Sequence, residues 1–376
     1  MKKIFFVALT VLTVMFVGCK EHQTPETDLS KLYPAMNPSA DNWGYIDDKG
    51  NFVIQPMFDD VASFSCGYAR VYIGDECKFI DKKGSLQTTP SFDWADDFYY
   101  GYSTIEFDDN VGLMGKNFEM VIQPYFYNLG TMGDNGLIAA KRDDDGKYEY
   151  VNVKGETKIP AMYDRYGDFE DGVAVVTLNE KDGAINKSGD FIIQPTYENG
   201  LWNMGEGLVG FYDKNDKAGI LDKNSNIVVA ALYYDLGSVS DGMIWFEGKD
   251  NCGYLDKKGN VVIPEMYYTV WAFYEGLAWV RKDKDSRYQC IDKDNNVVFR
   301  LGEDEYPETG FHNGLALVKT DNGYKYINKE GAVVYSWSYD NDDRYAPQRI
   351  QQRTTKGGVR VEKKDDMTLH FDSRKL

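Results

Sequence analysis

The sequence of 376 residues contains few of the side chains on which common catalytic and metal sites depend. It has three histidines, His22, His312 and His370, which stand far apart in the chain. No Ser/His/Asp or Cys/His arrangement follows from them, so the sequence gives no sign of nucleophilic catalysis. The five cysteines show no C-x-x-C spacing, and no glycine-rich phosphate-binding loop is present. We therefore expect no cofactor, no bound metal and no enzymatic activity.

Positive charge is also scarce. Lys and Arg number 42 against 60 Asp and Glu, which gives a formal net charge of -18. An acidic surface repels nucleic acids and anionic membrane surfaces, so neither is expected as a partner of the folded domain. The acidic residues are spread along the chain, as they are on a surface that keeps a protein soluble.

The sequence has one long apolar run, and it lies at the start of the chain. A positively charged start precedes residues 4–17, and Gly18-Cys19 follows them. This order is typical of a secretory signal peptide. The Cys after the run resembles a bacterial lipobox, although Phe16 stands where Leu is usual. The resemblance implies a lipoprotein signal peptide over 1–18 and lipidation of Cys19, which would hold the chain on a membrane of the bacterial cell envelope. We expect the outer membrane or cell surface rather than the inner membrane.

Two segments differ in composition from the rest of the chain. Residues 19–42 are polar, contain several prolines and lack periodicity, which predicts a flexible tether. Residues 341–376 form a second segment, and its stretch 357–371 predicts a hairpin that closes or caps the domain.

Four cysteines remain after Cys19. Three of them, Cys77, Cys252 and Cys290, occupy positions that are apolar or aromatic elsewhere in the chain, which favours small buried side chains. An exported protein permits disulfides, and Cys66 with Cys77 is the candidate pair. Sequence cannot supply the required geometry, so both interpretations stay open.

A repeat of about 35 residues dominates the rest of the sequence. The phrase Trp43-Gly44-Tyr45-Ile46-Asp47 returns in modified form along the chain. Aligned on the Asp or Asn after the apolar residue, the full copies have anchors at Asp47, Asp81, Asn152, Asn186, Asp222, Asp256, Asp292 and Asn328. A degenerate copy has Gly115 at this position. Such a repeat predicts one shared core, with any site lying where the copies differ.

Each copy predicts three strands and one irregular segment. A polar turn with Gly, as in Lys49-Gly50, is typical of a hairpin. A β-branched pair such as Val53-Ile54 follows, and Pro56 or its equivalent ends the strand. A connection of about ten residues then leads to a second repeated glycine, Gly67 in the first copy, and to another strand.

The pattern W-G-Y-I-D-x-K-G-x-x-V-I-x-P-x-F-D, followed by F-x-x-G-x-A-x-V, resembles the WG repeat, also called the KWG repeat, of bacterial proteins. The resemblance covers residues 43–340 and indicates a WG repeat-containing bacterial lipoprotein. It implies an architecture and little chemistry.

We predict an all-β domain over 43–340 with about eight tandem β-meanders in a closed, β-propeller-like array. An open twisted β-solenoid is the alternative. The first copy begins in the middle of a repeat, so a ring is expected to complete one blade from both ends of the domain.

Aromatic residues outside the repeat positions are the candidates for partner binding. Trp94, Trp202, Trp271 and Tyr274 lie in the irregular connections, where exposed aromatics stack on sugars or anchor proteins. Core packing is the alternative role. We predict a non-catalytic binding scaffold for a protein or glycan partner. An exported polysaccharide hydrolase that uses loop carboxylates and a purely structural envelope component are the rival hypotheses.

Overall fold

The computed structural model describes residues 31–338, except residues 38, 40 and 199. Regular secondary structure in this range consists of β-strands, which confirms the all-β prediction. No helix in it is long and apolar enough to cross a membrane. The predicted signal peptide, Cys19 and the segment 341–376 lie outside the described residues.

The strands of the described range form nine antiparallel sheets, numbered here in chain order. The first three sheets contain β1 (Tyr33–Asn37), β2 (Asn42–Ile46) and β3 (Phe52–Phe58); β4 (Asp60–Val61), β5 (Tyr68–Ile73) and β6 (Glu76–Asp81); and β7 (Trp94–Ala95), β8 (Tyr102–Phe107), β9 (Asn110–Gly115) and β10 (Met120–Phe126). The next three contain β11 (Asn128–Leu129), β12 (Leu137–Lys141), β13 (Tyr148–Asn152) and β14 (Thr157–Tyr163); β15 (Ala174–Leu178), β16 (Lys181–Ile185) and β17 (Phe191–Tyr197); and β18 (Leu201–Gly205), β19 (Leu208–Tyr212), β20 (Ala218–Asp222) and β21 (Ile227–Tyr233). The last three contain β22 (Asp235–Leu236), β23 (Met243–Glu247), β24 (Cys252–Asp256) and β25 (Val261–Tyr267); β26 (Thr269–Val270), β27 (Leu277–Arg281), β28 (Gln289–Asp292) and β29 (Val297–Arg300); and β30 (Tyr306–Pro307), β31 (Leu315–Thr320), β32 (Gly323–Asn328) and β33 (Val333–Ser338).

The repeated Asp or Asn builds the predicted hairpin turn in each copy that has it. In the first copy, Asp47 Oδ1 accepts hydrogen bonds from the backbone N–H groups of Lys49 and Asn51, both at 2.9 Å. Gly50 completes the turn with a φ of 83°, a conformation that glycine adopts without steric cost. Asp256 accepts the equivalent bonds from Lys258 and Asn260. The turn therefore depends on one side-chain oxygen and one permissive backbone position.

The glycine of the Trp-Gly pair is required by close packing. A Cβ on Gly44 would lie 2.4 Å from the carbonyl oxygen of Ile54, because β3 bulges towards β2 at this point. The same approach to the outer strand occurs at Gly112, Gly183, Gly219 and Gly253. The repeated Gly thus lets two strands meet more closely than any side chain allows.

In most blades one edge of the sheet consists of a two-residue strand and an irregular continuation, and in blade 6 it consists of the five-residue strand β18. We call this edge the hub segment. Hydrogen bonds between neighbouring sheets are concentrated there. The backbone N–H of Val239 donates to the carbonyl of Met204 at 2.7 Å, and Ser240 Oγ donates to the carbonyl of Phe273. The opposite edge is mostly exposed, as in β25, where only Ile263 and Tyr267 are buried. Sheets that touch along one edge and face solvent along the other are blades arranged around an axis.

The ninth sheet packs against the first and closes the ring. Tyr326 Oη donates to the carbonyl of Pro34 at 3.0 Å, and the rings of Trp43 and Trp337 lie 6.0 Å apart at 81°. Residues of both sheets share one hydrophobic cluster. The fold is therefore a β-propeller of nine blades, which we number like the sheets. The predicted closed, β-propeller-like array is confirmed.

The ring has nine blades, which agrees with the predicted count of about eight, because the degenerate copy around Gly115 also forms a complete four-stranded blade. Two details of the sequence prediction are corrected. Residues 33–37, predicted as tether, form β1 and pair with β2, because Tyr33, Ala35 and Met36 are buried. Finally, each described blade comes from one continuous segment, because β1 supplies the strand expected from the other end of the chain.

Candidate binding site at the hub

The hub segments place one side chain of each blade from 2 to 9 around the axis. Most of these residues follow a residue whose backbone N–H donates a hydrogen bond to the adjacent strand, as Asp96 N–H does to the carbonyl of Thr104 at 2.8 Å. All of them are partly or fully exposed. We call this set the hub ring: Ser63, Asp97, Thr131, Asp168, Asn203, Ser238, Ala272 and Thr309. It is rich in hydroxyl, amide and carboxylate oxygen.

Arg70 is the strongest departure from the repeat. It lies in β5, is 1% exposed, and reaches from blade 2 to blade 3. Its Nε donates to Asp97 Oδ1 and its Nη1 donates to the carbonyl of Ala95, both at 2.8 Å. Nη2 is buried and has no hydrogen-bond partner among the described residues. The signal in the sequence was the charged residue in the A-x-V strand pattern, which our sequence analysis missed.

Asp96 lies beside this guanidinium and is 7% exposed. Its Oδ1 accepts a hydrogen bond from the backbone N–H of Asp97 at 2.8 Å. Burial raises the pKa of the Asp96 carboxyl, and the charge of Arg70 partly offsets this effect. Asp60 of blade 2 has a pKa raised by burial and lowered in part by the same Arg70 charge. Arg70 therefore faces several carboxylates at once.

Asp168 extends the polar group to blades 4 and 5. Thr131 Oγ1 donates to Asp168 Oδ2 at 2.6 Å, and the Thr131 backbone N–H donates to Oδ1 at 3.2 Å. Burial, with a smaller contribution from the charge of Asp96, raises the pKa of Asp168 to about 6, although the hydrogen bonds from Thr131 act in the opposite direction. A carboxyl with such a pKa changes its charge near neutral pH, which is a property of many functional sites.

Trp94 is the predicted aromatic nearest to this group. Its half-buried ring lies beside Arg70, whose Cζ is 5.7 Å from the ring centroid. This is a cation–π contact, and it helps to fix both side chains at the boundary of blades 2 and 3. The structure therefore brings Trp94 together with the charged residues that sequence analysis missed.

The other three predicted aromatics belong to blades 6 and 8. Trp202 and Trp271 occupy the same position of the hub segment, next to the hub ring, and both are half-buried. Trp202 packs on Gly210 and Tyr212, with ring centroids 4.9 Å apart in the Tyr212 contact. Tyr274 is 36% exposed and lies against His312, at 5.0 Å between centroids.

These four aromatics do not form one cluster in the described part of the chain, since no ring contact joins any two of them. Their role in binding stays a prediction. Cys66 and Cys77 are both free thiols, so the candidate disulfide is absent from the structure.

Comparisons with known proteins agree with the repeat and the fold. A family model described as WG containing repeat matches six segments, 43–77, 79–110, 150–181, 183–217, 219–251 and 253–284, which together exceed half of the chain. No curated protein matches the sequence.

Solved structures are similar in fold at low sequence identity. The crystal structure of a eukaryotic initiation factor has a TM-score of 0.61 at 13% identity, over 82% of this chain and 96% of the other. The dihydro-heme d1 dehydrogenase NirN, in complex with DHE, has a TM-score of 0.43 at 12% identity, over 84% and 74%. Kluyveromyces lactis Hsv2p has 0.37 at 9%, over 64% and 94%. The first match supports the fold alone, and the other two carry no inference.

Proposed function

Because the chain belongs to the WG containing repeat family and closes into a nine-bladed propeller, we propose that it is an exported, lipid-anchored scaffold that binds a protein or glycan partner without catalysis. Cys19 is the proposed site of lipidation, and the cell envelope, at the outer membrane or cell surface, is the proposed location. The propeller fold alone does not decide between binding and catalysis, since it serves both.

The contrast between a uniform core and a divergent hub carries this proposal. The residue before each anchor is apolar and buried in all nine blades: Ile46, Ile80, Met114, Val151, Ile185, Leu221, Leu255, Ile291 and Ile327. The hub ring, whose members are all partly or fully exposed, instead varies from blade to blade: Ser63, Asp97, Thr131, Asp168, Asn203, Ser238, Ala272 and Thr309. Copies that agree in their core and differ around the axis offer a distinct recognition surface on a common frame.

A pull-down from envelope extract tests the scaffold. The full chain, immobilised in detergent, is expected to retain a partner, and the double substitution Trp202→Ala and Trp271→Ala is expected to weaken retention. Tyr234→Ala is the matched control, because Tyr234 is an aromatic residue 49% exposed that lies outside the hub. Retention that is equal for all three proteins would contradict a role for the hub aromatics.

One observation favours the hydrolase as a second candidate. Asp168 has a pKa of about 6, and Asp96 lies close enough for its charge to act on it. Glycosidases use one protonated and one ionised carboxyl group. Turnover of a polysaccharide by the purified chain, abolished by Asp168→Asn, would establish this candidate in place of the scaffold.

A further inference from the structure

We propose that the outer edge of β21, in blade 6, is a surface for self-association, on which β21 of a second copy of this chain pairs in antiparallel orientation. The edge lies at the rim of the propeller and contains neither the hub ring nor the hub aromatics. Self-association there is separate from the proposed binding of a partner at the hub, and either one can hold without the other.

Strand β21 differs in composition from the other outer strands, each of which is the last strand of its sheet. Five of them, β3, β10, β14, β17 and β25, contain a proline, β29 contains Arg300 and β33 contains two serines. The sequence of β21 is IVVAALY, and Ala231 stands at the position of Pro56 in β3. Proline and charged residues protect exposed strand edges from pairing with other strands. The outer edge of blade 6 lacks this protection.

The same strand carries the two most exposed large apolar side chains of the described residues. Leu232 is 70% exposed and Ile227 is 66% exposed. Strand β21 pairs with β20 on one side, and its other side has no strand partner in the described part of the chain. An exposed apolar strand with unpaired backbone groups is a template for the addition of another strand.

Blade 7 enlarges this apolar surface. Its turn at Gly259 packs against Val229 of β21, and the turn is followed by Val261 and Val262, which are 55% and 44% exposed. With the two exposed residues of β21 they form an apolar patch on the order of 400 Å², a size at which surface patches are often functional. A standard interface buries about 800 Å² on each partner, so the patch supplies about half of that area. We therefore expect a reversible dimer.

A second copy is the occupant that fits the sequence of β21 itself. In an antiparallel pair centred on Ala230, Ile227 of each copy lies opposite Tyr233 of the other, as a two-fold axis requires. No charged side chain of either strand then enters the interface. The candidate hairpin of this chain, 357–371, contains six charged residues and is a poorer match for an uncharged edge.

Cysteine cross-linking tests the dimer. Ala230→Cys places a thiol near the proposed two-fold axis, and oxidation of intact cells with copper phenanthroline should give a disulfide-linked dimer of the full chain on a non-reducing gel. Gln55→Cys, at the equivalent position of β3, is the matched control and should stay monomeric, because Pro56 follows it. The unmodified chain shows how much cross-linking its own cysteines cause.

Two substitutions of the edge itself complete the test. In the Ala230→Cys chain, Leu232→Lys puts a charge on the patch and Ala231→Pro restores the proline of the other blades. Each should lower the cross-linked fraction at least tenfold. Met57→Lys changes the equivalent position of β3, which is 61% exposed, and should leave the fraction unchanged. Thermal unfolding followed by circular dichroism verifies the fold of each variant, and Leu232→Lys decides the test if Ala231→Pro does not fold.

Three results would overturn the dimer: no cross-link in Ala230→Cys, an equally strong cross-link in Gln55→Cys, or a cross-link that Leu232→Lys leaves unchanged. A disulfide to a different protein in place of the dimer would also overturn it, and would show that the edge of β21 binds another partner. None of these results depends on the hub aromatics, so the proposed scaffold function is tested independently by the pull-down.

Discussion

One position of the repeat holds three chemically unlike residues, Arg70, Thr104 and Trp279. All three make the same type of contact between blades. Each donates a hydrogen bond to a carbonyl in the hub segment of the next blade: Arg70 to Ala95 at 2.8 Å, Thr104 to Gly130 at 3.3 Å, and Trp279 to Thr309 at 3.0 Å. The repeat alignment identifies this position. The alignment could not predict the shared hydrogen bond, because each acceptor is a backbone carbonyl that lies about 25 to 30 residues further along the chain.

Replacement of Arg70 by Met should show how much this contact contributes to the free energy of unfolding. Arg70→Met preserves much of the side-chain volume but leaves Asp97, whose side chain is 25% exposed, without its partner. We expect the free energy of unfolding to fall by about 2 kcal/mol, since a buried charged hydrogen bond is lost. Urea denaturation of the purified variant measures the change.

Lys78→Met provides the control for that measurement. Lys78 and Glu76 form an ion pair on the surface, with side-chain exposures of 37% and 70%. Exposed pairs of this kind contribute about 0–1 kcal/mol. Equal effects of the two substitutions would show that Arg70 does not link blades 2 and 3 in the way described.

The hairpin and the outer strand were the elements best predicted from sequence, because their signals are local. The Asp-to-Gly turn and the β-branched pair depend on neighbours within ten residues, and both occur as expected. The strand β1 was missed because Tyr33-Pro34 suggested a linker. Its burial depends on β2 and on Tyr326, about 290 residues further along the chain.

Two glycines of the blade should respond differently to alanine. Gly44→Ala puts a Cβ 2.4 Å from a carbonyl oxygen, so strands must separate, and we expect a loss of about 3 kcal/mol. Gly242 has open space for a Cβ but a φ of 78°. Gly242→Ala should therefore cost about 1 kcal/mol, the backbone strain alone. Urea midpoints that rank the two variants in the opposite order would contradict the role assigned to the Trp-Gly glycine.

For the whole molecule, the repeat period predicted the closed ring of blades but did not identify the candidate binding site at the hub. Sequence analysis predicted that a binding site lies in the connections between strands, and this stays a prediction; one of its candidates, Trp94, lies beside Arg70 in the structure. The charged residues Arg70, Asp96 and Asp168 were overlooked because a single Arg or Asp in a repeat resembles ordinary surface variation. Their proximity arises only when blades 2 to 5 are arranged around the axis.

The location of the molecule gives a further prediction. Cells supplied with an alkyne-labelled fatty acid should incorporate the label into the full chain, because the proposed lipid attaches to Cys19. Cys19→Ala should lose the label and move from the membrane fraction to the soluble fraction. Cys66→Ala is the control, since that thiol lies in an exposed turn of the folded domain. Label retained by Cys19→Ala would refute lipidation at this residue.

The seam between blades 9 and 1 has a consequence for how the array is counted. Gly50 packs against the backbone carbonyl of Val334 across the seam, whereas Gly84 packs against the side chain of Ile54 between blades 1 and 2. The ends of the array meet only if every interface turns the chain by the correct angle and the number of copies is nine. A repeat gained or lost by duplication or deletion would separate Gly50 from Val334 and expose the cluster shared by the two blades. Ring closure therefore fixes the number of repeats at nine, although the sequences of the individual repeats have diverged widely.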